Sequence, residues 1–365
     1  MKKLFVLSVS VLLSAILYAG EPFATYSFPS ASVTELEANT IAGNITLKGD
    51  AGEKTTVQVF ISGNNQTAEQ IKQMLDEYYT IDIRVANGKL FSVVKQKKNL
   101  RRQQGLNISF TISIPKHVAG KMNSASGSIL ISETSGDLRF NTASGSLTVD
   151  RVSGKISGNT ASGSIHLTNS TDNVSLNTAS GSIHVNNCTG NIQLNTASGN
   201  VRANDLEGEV SLNSASGSVN ANDLKGNISL NSASGNIAAD NIIGTLKAGS
   251  ASGNIVLKDI SGNLNISDDS RNVIASRRNV INGNIDVTMK SVDEYVIISN
   301  NSRSVNVTLP VDNGYNLNVN VKKVETSGMR GFHGEMDNKT LNGTVGNGGA
   351  KIEISKSQQV NLFFK

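Results

Sequence analysis

Glycine and aliphatic residues recur every nine positions along the central part of the chain. Stepping by nine from Gly127 to Gly262 gives sixteen positions, of which fifteen are Gly and one is Asp172. Counting that residue as position one, position three is aliphatic in all sixteen units and position five is mostly aliphatic, whereas positions two and four are mostly polar. Alternation with period two predicts a short strand with one buried face in each unit, followed by a turn.

Two nine-residue units combine into a repeat of eighteen residues. The tripeptide Ala-Ser-Gly begins at positions eighteen residues apart, namely Ala125, Ala143, Ala161, Ala179, Ala197, Ala215, Ala233 and Ala251. A fixed period of this kind is typical of a solenoid, in which each coil pairs with its neighbours through parallel strands. The predicted fold class is all-β: a parallel β-solenoid with 18-residue coils, each of two 9-residue half-coils facing each other as two sheets, with one short N-terminal helix and irregular β caps.

The residues at the turns support further predictions. Gly at position one indicates positive φ or a close approach of two backbones. Asn at position six, as in Asn141 and Asn159, predicts a ladder of amides that bonds coil to coil at the turn, where Asn also tolerates left-handed backbone. Cys188 stands at position eight of one of the alternate units, and we expect its side chain to be buried and to contribute to packing. A single Cys cannot form an internal disulfide, so packing and backbone hydrogen bonds must hold the fold.

The flanking regions alternate less regularly. Thr67 to Tyr79 predicts a helix that begins with a capping box and covers an open sheet edge, and Ile81 to Val94 predicts a hairpin turning at Asn87-Gly88. The predicted organisation is a signal peptide over 1–19, an N-terminal β region with one helix over 20–122, β-solenoid repeats over 123–267, and a C-terminal β cap over 268–365.

The first nineteen residues have the pattern of an export signal. Lys2 and Lys3 precede the apolar stretch from Leu4 to Tyr18, which is shorter than the ~20 residues that a membrane span needs. No later segment is apolar enough to span a membrane as a helix. We therefore expect an extracytoplasmic protein, at the cell surface or secreted, with the periplasm as a further location.

Composition and charge exclude several functions. Without Lys2 and Lys3 the chain carries 31 basic and 29 acidic residues, a balance that does not favour nucleic-acid binding. Among the outward positions two and four of the sixteen units, only Asp137 and Glu209 are acidic, so paired catalytic carboxylates are not expected. We predict no enzymatic activity, no cofactor and no metal site.

Several segments together resemble the putative-adhesin family of exported bacterial proteins with repeated β-strands. They are Ile112-Ser113-Ile114-Pro115, Ser126-Gly127-Ser128-Ile129, the Thr-Ala-Ser-Gly-Ser-Ile units, and the segment from Gly346 to Ile352. The resemblance spans most of the mature chain. It implies a repeated β architecture and adhesion, and it brings no ligand-binding or catalytic residue with it.

The one candidate contact site in the sequence is a basic loop. Its cations are Lys95, Lys97, Lys98, Arg101 and Arg102, which could meet an acidic polymer or lipid headgroups; a solvated loop is the simpler interpretation.

Three functional hypotheses follow from these observations. The first is an adhesin-like binding scaffold, with glycan, envelope polymer or a surface protein as partner, and the second is a structural envelope protein that self-assembles or spaces other components. A third, ice binding, would use an outward column of Thr142, Thr160, Thr178 and Thr196. Both ends of the repeat look capped, so we expect a monomer.

Overall fold

The alternation of aliphatic and polar residues corresponds to strands over most of the chain in the computed structural model. The structure describes residues 21–64, 66–98, 105–267, 283–311 and 313–365, and the predicted signal peptide lies outside them. The described residues form 27 strands and one α-helix, and most strand pairs are parallel, which confirms the predicted all-β class with one helix. The chain divides into two compact units, residues 1–176 and 177–365.

The first unit contains the helix and the shorter strands. Its strands are β1 (Ala24–Pro29), β2 (Glu35–Thr40), β3 (Ile45–Lys48), β4 (Lys54–Gly63), β5 (Tyr79–Ala86), β6 (Lys89–Gln96), β7 (Leu106–Ser113), β8 (Ala119–Ser124), β9 (Ile129–Ser132), β10 (Leu138–Thr142), β11 (Leu147–Asp150), β12 (Ile156–Thr160) and β13 (Ile165–Thr171), while β14 (Val174–Thr178) crosses the division. A 3-10 turn covers Ser30–Ser32 and the helix α1 covers Ala68–Tyr78.

These strands pair into two sheets. One runs in the order β5-β6-β2-β8-β10-β12 and the other in the order β1-β4-β7-β3-β9-β11-β13. In the repeat region each residue pairs in parallel with the residue eighteen positions later, as Leu138 does with Ile156 and Leu147 with Ile165. Each sheet buries its aliphatic face, so positions three and five form the core as the sequence predicts.

Local signals in the N-terminal region were sufficient to predict its helix and the β5–β6 hairpin. Thr67 accepts a hydrogen bond from the backbone N–H of Gln70, whose side chain accepts one from the N–H of Thr67, which confirms the capping box. The β5–β6 hairpin turns at Asn87 (φ 53°) and Gly88 (φ 79°). Helix α1 has 11 residues and packs on β4, β5 and β7 with Ile71 buried. Within the described ranges no helix is long and apolar enough to cross a membrane.

The second unit is built on long parallel strands. They are β15 (Ile183–Thr196), β16 (Val201–Ser214), β17 (Val219–Ser232), β18 (Ile237–Ser250), β19 (Ile255–Ser267) and β20 (Ile285–Ser299). Each pairs with the next, and from β15 to β19 the offset is again eighteen residues, as between Ile183 and Val201.

The prediction of a strand and a turn in every half-coil is wrong for these strands. Each runs through both half-coils, because one left-handed residue bends the chain without ending the pairing. In β16 and β17 these residues are Asp205 (φ 54°) and Asp223 (φ 56°). They occupy position seven, one residue after the Asn of position six. Asn and Asp tolerate this conformation better than most residues do.

The C-terminal region divides β20 between two sheets. Its strands are β21 (Ser304–Leu309), β22 (Tyr315–Asn320), β23 (Lys323–Ser327), β24 (Phe332–Met336), β25 (Thr340–Val345), β26 (Ala350–Ser355) and β27 (Gln359–Phe364). The first half of β20 begins a sheet in the order β20-β21-β27-β23, in which every pair is parallel. The second half begins a sheet in the order β20-β26-β22-β25-β24, in which the pairs β22–β25 and β25–β24 are antiparallel.

Candidate binding surface

A hydroxyl group organises the turn of each Thr/Ser-Ala-Ser-Gly motif. Thr142 Oγ1 accepts the backbone N–H of Gly145 at 3.1 Å and donates to the carbonyl of Gly127, in the preceding repeat, at 3.0 Å. Ser214 does the same in the second unit, with Gly217 at 2.8 Å and Gly199 at 3.0 Å. The hydroxyl therefore closes its own turn and ties it to the neighbouring repeat.

These bonds overturn the ice-binding hypothesis. The Thr and Ser residues of this column are buried, with exposed fractions of 3–6% for Thr142, Thr160, Thr178, Thr196, Ser214, Ser232 and Ser250. A period-two pattern predicts that position seven faces inward with positions three and five, and the structure follows that pattern. The hydroxyls bind backbone and present no outward array.

At position one the backbones of neighbouring repeats lie so close together that a side chain would collide with the adjacent backbone. A Cβ atom on Gly145 would lie 2.0 Å from the carbonyl oxygen of Gly127, and one on Gly217 would lie 1.9 Å from that of Gly199. In the alternate units Gly208 (φ 129°) also has positive φ. A Cβ atom on Gly208 would also lie 2.2 Å from the carbonyl oxygen of Gly190, so close approach applies in both sets and positive φ is a second reason at Gly208.

The turn projects its middle residues into solvent. Ala125, Ala143 and Ala161 are exposed in the first unit, as is Ala215 in the second. Because the flanking Thr/Ser and Gly residues are buried, the Ala methyl groups form an exposed row along successive turns.

Beside this row the predicted amide ladder is present, and it begins earlier than the repeats. The Nδ2 of Asn123 donates to Asn39 Oδ1 at 2.7 Å, that of Asn141 to Asn123 at 2.9 Å and that of Asn159 to Asn141 at 2.9 Å. A second ladder in the other unit joins Asn177, Asn195, Asn213 and Asn231, with distances of 2.8–2.9 Å. Some of these amides donate a second bond along their own strand, as Asn213 Nδ2 does to Ser211 Oγ and Asn231 Nδ2 to Ser229 Oγ, both at 3.1 Å.

The methyl row and the amide ladder border a groove in the first unit. Its volume is about 620 Å³ and its lining comprises Asn39, Thr40, Ile41, Val94, Asn123, Ser124, Ala125, Asn141, Thr142, Ala143 and Ala161. The sequence had signalled the Ala and Asn columns separately. It gave no sign that Ile41 and Val94, from the irregular N-terminal region, join them.

A cluster of charges and one aromatic ring lies on β2, β5 and β6 of the same unit. Lys89 Nζ lies 2.7 Å from Glu37 Oε2, and the Arg84 guanidinium lies 4.4 Å from the centre of the Phe91 ring. The hydrogen bond from Lys89 lowers the pKa of the Glu37 carboxyl, and the same bond raises the pKa of Lys89. Both groups therefore remain charged at neutral pH.

The predicted basic loop is only partly described. Lys95, Lys97 and Lys98 are exposed, whereas Arg101 and Arg102 lie outside the described residues. Lys97 Nζ donates to the carbonyl of Asp76, in the last turn of α1, at 2.7 Å, and Lys98 Nζ lies 3.6 Å from the Glu77 carboxylate. Two of the five predicted cations thus contact the helix, where positive charge stabilises the C-terminal carbonyls.

The thiol of Cys188 is buried, with an exposed fraction of 1%, in agreement with its prediction as a packing residue. Its Sγ donates to the carbonyl of Asn186 at 3.3 Å. In the part of the chain that the structure describes, no group of three or more His, Cys, Asp or Glu side chains is arranged to hold a metal ion.

Comparison with solved structures gives two similar chains. One is described as a putative cell adhesion protein from Clostridium sporogenes: it is 11% identical, the match covers 93% of this chain and 98% of that one, and the TM-score is 0.23. The other is described as a putative lipid binding protein from Parabacteroides distasonis, with 13% identity, coverage of 94% and 97%, and a TM-score of 0.23. No curated protein matches the chain.

Comparison with protein families gives a match over most of the sequence. The family described as Toastrack DUF4097 matches residues 29–222 and again residues 189–279. The two overlapping matches include the repeats and most of the N-terminal β region. They confirm the resemblance to a β-strand-repeat family that was inferred from the Thr-Ala-Ser-Gly-Ser-Ile units. The chain belongs to the Toastrack DUF4097 family.

Proposed function

We propose that this protein is a non-enzymatic, adhesin-like binding scaffold, and that the groove of the first unit binds an uncharged glycan or envelope polymer. The observation that carries the proposal is the pairing, along one groove, of exposed Ala methyl groups with an Asn amide ladder. Amides donate to and accept from sugar hydroxyls, and methyl groups pack against the apolar faces of sugar rings.

The repeat geometry favours a polymer over a small molecule. Paired strands lie about 4.8 Å apart, so each repeat presents an equivalent amide and methyl group at that interval. Asn39, Asn123 and Asn141 form one continuous row along the groove. A chain of sugars can contact several repeats at once. Once one sugar is bound, the next is held near its own site, so several weak contacts give a higher overall affinity.

The wider proposal includes the architecture and the location. We infer that the unit of the array is a closed coil of eighteen residues, since parallel partners are offset by eighteen residues in both compact units. The repeats over 123–267 would act as the rigid frame, between an N-terminal region over 20–122 and a cap over 268–365. Export through the segment over 1–19 would place the groove outside the cytoplasm, where such polymers occur.

A glycan array tests the proposal with one variant and one matched control. Ala143→Glu places a charged, longer side chain on the exposed wall of the groove. Ala215→Glu makes the same change at the same motif position in the second unit, at a residue that does not line the groove. We expect the mature wild-type chain to bind an uncharged glycan, Ala143→Glu to weaken binding by ~10-fold or more, and Ala215→Glu to leave it unchanged.

Two results would contradict the proposal. If the wild-type chain binds no glycan or cell-wall polymer on the array, the groove has another occupant and the structural envelope role becomes the better hypothesis. If both Glu variants lose binding equally, the ligand contacts the Ala rows generally and not the groove. Binding restricted to acidic polymers would instead point to Lys95 and its neighbouring cations.

A further inference from the structure

Strand β24 forms an exposed edge of the second unit. It covers Phe332–Met336 and pairs with β25 alone among the described strands. His333, Gly334, Glu335 and Met336 are exposed, the last with an exposed fraction of 53%, and Phe332 is half-buried. The side chains of His333 and Glu335 make no hydrogen bond or ion pair within the described residues. An open edge of this kind is a template for another strand.

The hydrogen-bonding pattern shows which backbone groups face this edge. At one end of the β24–β25 ladder Gly346 N–H donates to the Gly331 carbonyl at 3.0 Å, and at the other end Asp337 N–H donates to the Thr340 carbonyl at 3.0 Å. Because such pairs alternate along an antiparallel ladder, the odd-numbered residues of β24 bond to β25. The N–H and C=O groups of residues 332, 334 and 336 therefore point away from β25.

The side chains are arranged symmetrically about Gly334. On one face, Phe332 and Met336 lie two residues to either side, in line with buried core residues of the neighbouring strand through the Phe332–Val345 and Met336–Leu341 pairs. On the opposite face, His333 and Glu335 flank the same glycine. A second copy of β24, antiparallel and centred on Gly334, would thus place unlike and complementary side chains opposite each other.

We propose that β24 is a self-association surface, at which two copies of this chain pair antiparallel across a twofold axis through Gly334. His333 then faces Glu335 of the second copy and Phe332 faces its Met336, each contact occurring twice by symmetry. The outward backbone groups of residues 332, 334 and 336 bond to their counterparts. His333 and Glu335 occupy the non-hydrogen-bonded pairs, where side chains come closest.

The chemistry of both pairs suits this register. An imidazole N–H donates to a carboxylate oxygen in either protonation state, and a thioether packs favourably against an aromatic ring. A shift of one residue would move Phe332 and Met336 to the face that carries the charges. The pairing uses a sheet edge, so it is independent of the capped ends that suggested a monomer. A five-residue strand buries far less than the ~1,000 Å² of a stable interface, so we expect a weak dimer.

Disulfide cross-linking tests the register. Chains carrying His333→Cys and chains carrying Glu335→Cys are oxidised mildly, separately and as an equal mixture. The proposed pairing places residue 333 opposite residue 335 at a Cα separation of about 4.5 Å, within disulfide reach, whereas two residues 333 lie on a diagonal of about 7–8 Å. We expect covalent dimer mainly in the mixture. Wild-type chain, whose only thiol is the buried Cys188, is the control.

Charge exchange tests the interaction without a covalent bond. His333→Glu places like charges opposite each other twice, and we expect it to weaken self-association in sedimentation experiments by ~10-fold or more. The double variant His333→Glu with Glu335→Lys restores opposite charges and should restore the dimer. Absence of cross-linked dimer from the mixture, or equal amounts from each single variant, overturns the proposal. So does a wild-type chain that remains monomeric at every concentration, since the edge then stays free or receives a strand of another protein.

Discussion

Thr134 and Ser170 occupy the same position two repeats apart and differ in how their hydroxyls are satisfied. Both are buried, with exposed fractions of 3% and 1%. Ser170 Oγ donates to the Thr168 carbonyl at 2.9 Å and accepts the Val152 N–H at 3.4 Å, whereas Thr134 Oγ1 has no partner within the described residues. Val152 lies between them in this column and has no hydroxyl at all. The site therefore accepts an apolar residue of the same shape.

Removing the two hydroxyls should change stability in opposite directions. Thr134→Val relieves a buried polar group without a partner, and we expect it to raise the free energy of unfolding by about 1–2 kcal/mol. Ser170→Ala breaks two hydrogen bonds and should lower it by about 1–2 kcal/mol. Denaturant unfolding of both variants measures the difference, and a loss of stability in Thr134→Val would show that its hydroxyl has a partner in solution.

Residue-level predictions held where local rules decide the outcome. The burial of Cys188 and the need for Gly145 follow from the period and from sterics. The left-handed corner at position seven was not predicted, because the residues that adopt positive φ there include Glu133 and Arg151, which do not favour it. Packing between coils imposes that conformation, and sequence alone does not reveal it.

The turn of the Thr/Ser-Ala-Ser-Gly motif is the element that joins one repeat to the next. In the second unit Thr196 Oγ1 accepts the Gly199 N–H and donates to the Gly181 carbonyl, both at 3.0 Å. Ser214 makes the same two bonds one repeat later. The motif thus needs a hydroxyl, and the methyl group of Thr is secondary.

Two substitutions of Thr196 separate the hydroxyl from the methyl group. Thr196→Val leaves a buried N–H and a buried carbonyl without partners, and we expect it to cost about 2–4 kcal/mol of unfolding free energy. Thr196→Ser keeps both bonds and should cost no more than about 0.5–1.5 kcal/mol, the range for one buried methyl group. Equal penalties in denaturant unfolding would mean that the turn is held by packing alone.

The elements that the sequence predicted correctly are those whose signals lie within a few adjacent residues. The helix α1 and the β5–β6 hairpin followed from a capping box and an Asn-Gly turn. The continuity of β15 to β19 did not, because it depends on pairing between residues eighteen positions apart at a bend. The groove was missed for a related reason: Ile41 and Val94 reach it through sheet pairing that carries no sequence period.

The array is held together by contacts between neighbouring repeats. Each of β15 to β17 pairs with the next strand from its first to its last residue at the same offset, so equivalent residues meet at every interface. Stability in such a system is close to a sum of nearest-neighbour terms. Removal of one complete repeat then leaves an interface of the same kind.

Two deletions in the second unit distinguish a repeat from a half-repeat. Deleting Ala197–Ser214 joins Thr196 to Ala215 and preserves the Thr-Ala-Ser-Gly motif, so we expect a folded chain with undiminished β signal per residue in circular dichroism. Deleting Ala197–Asp205 joins Thr196 to Leu206, so a turn residue meets a core residue and the pairing register is lost. Equal loss of β signal in both variants would refute the eighteen-residue unit.

The uniform ladder of Asn amides and turn hydroxyls also has a consequence for inheritance. Near-identical stretches of a gene are prone to misalignment during replication and recombination, and a misalignment by one whole repeat keeps the reading frame. The resulting chain still offers Asn195 or Asn213 an amide partner in the next coil. Natural populations should therefore carry alleles that differ in the number of repeats, while the N-terminal groove and the C-terminal strands keep a constant length.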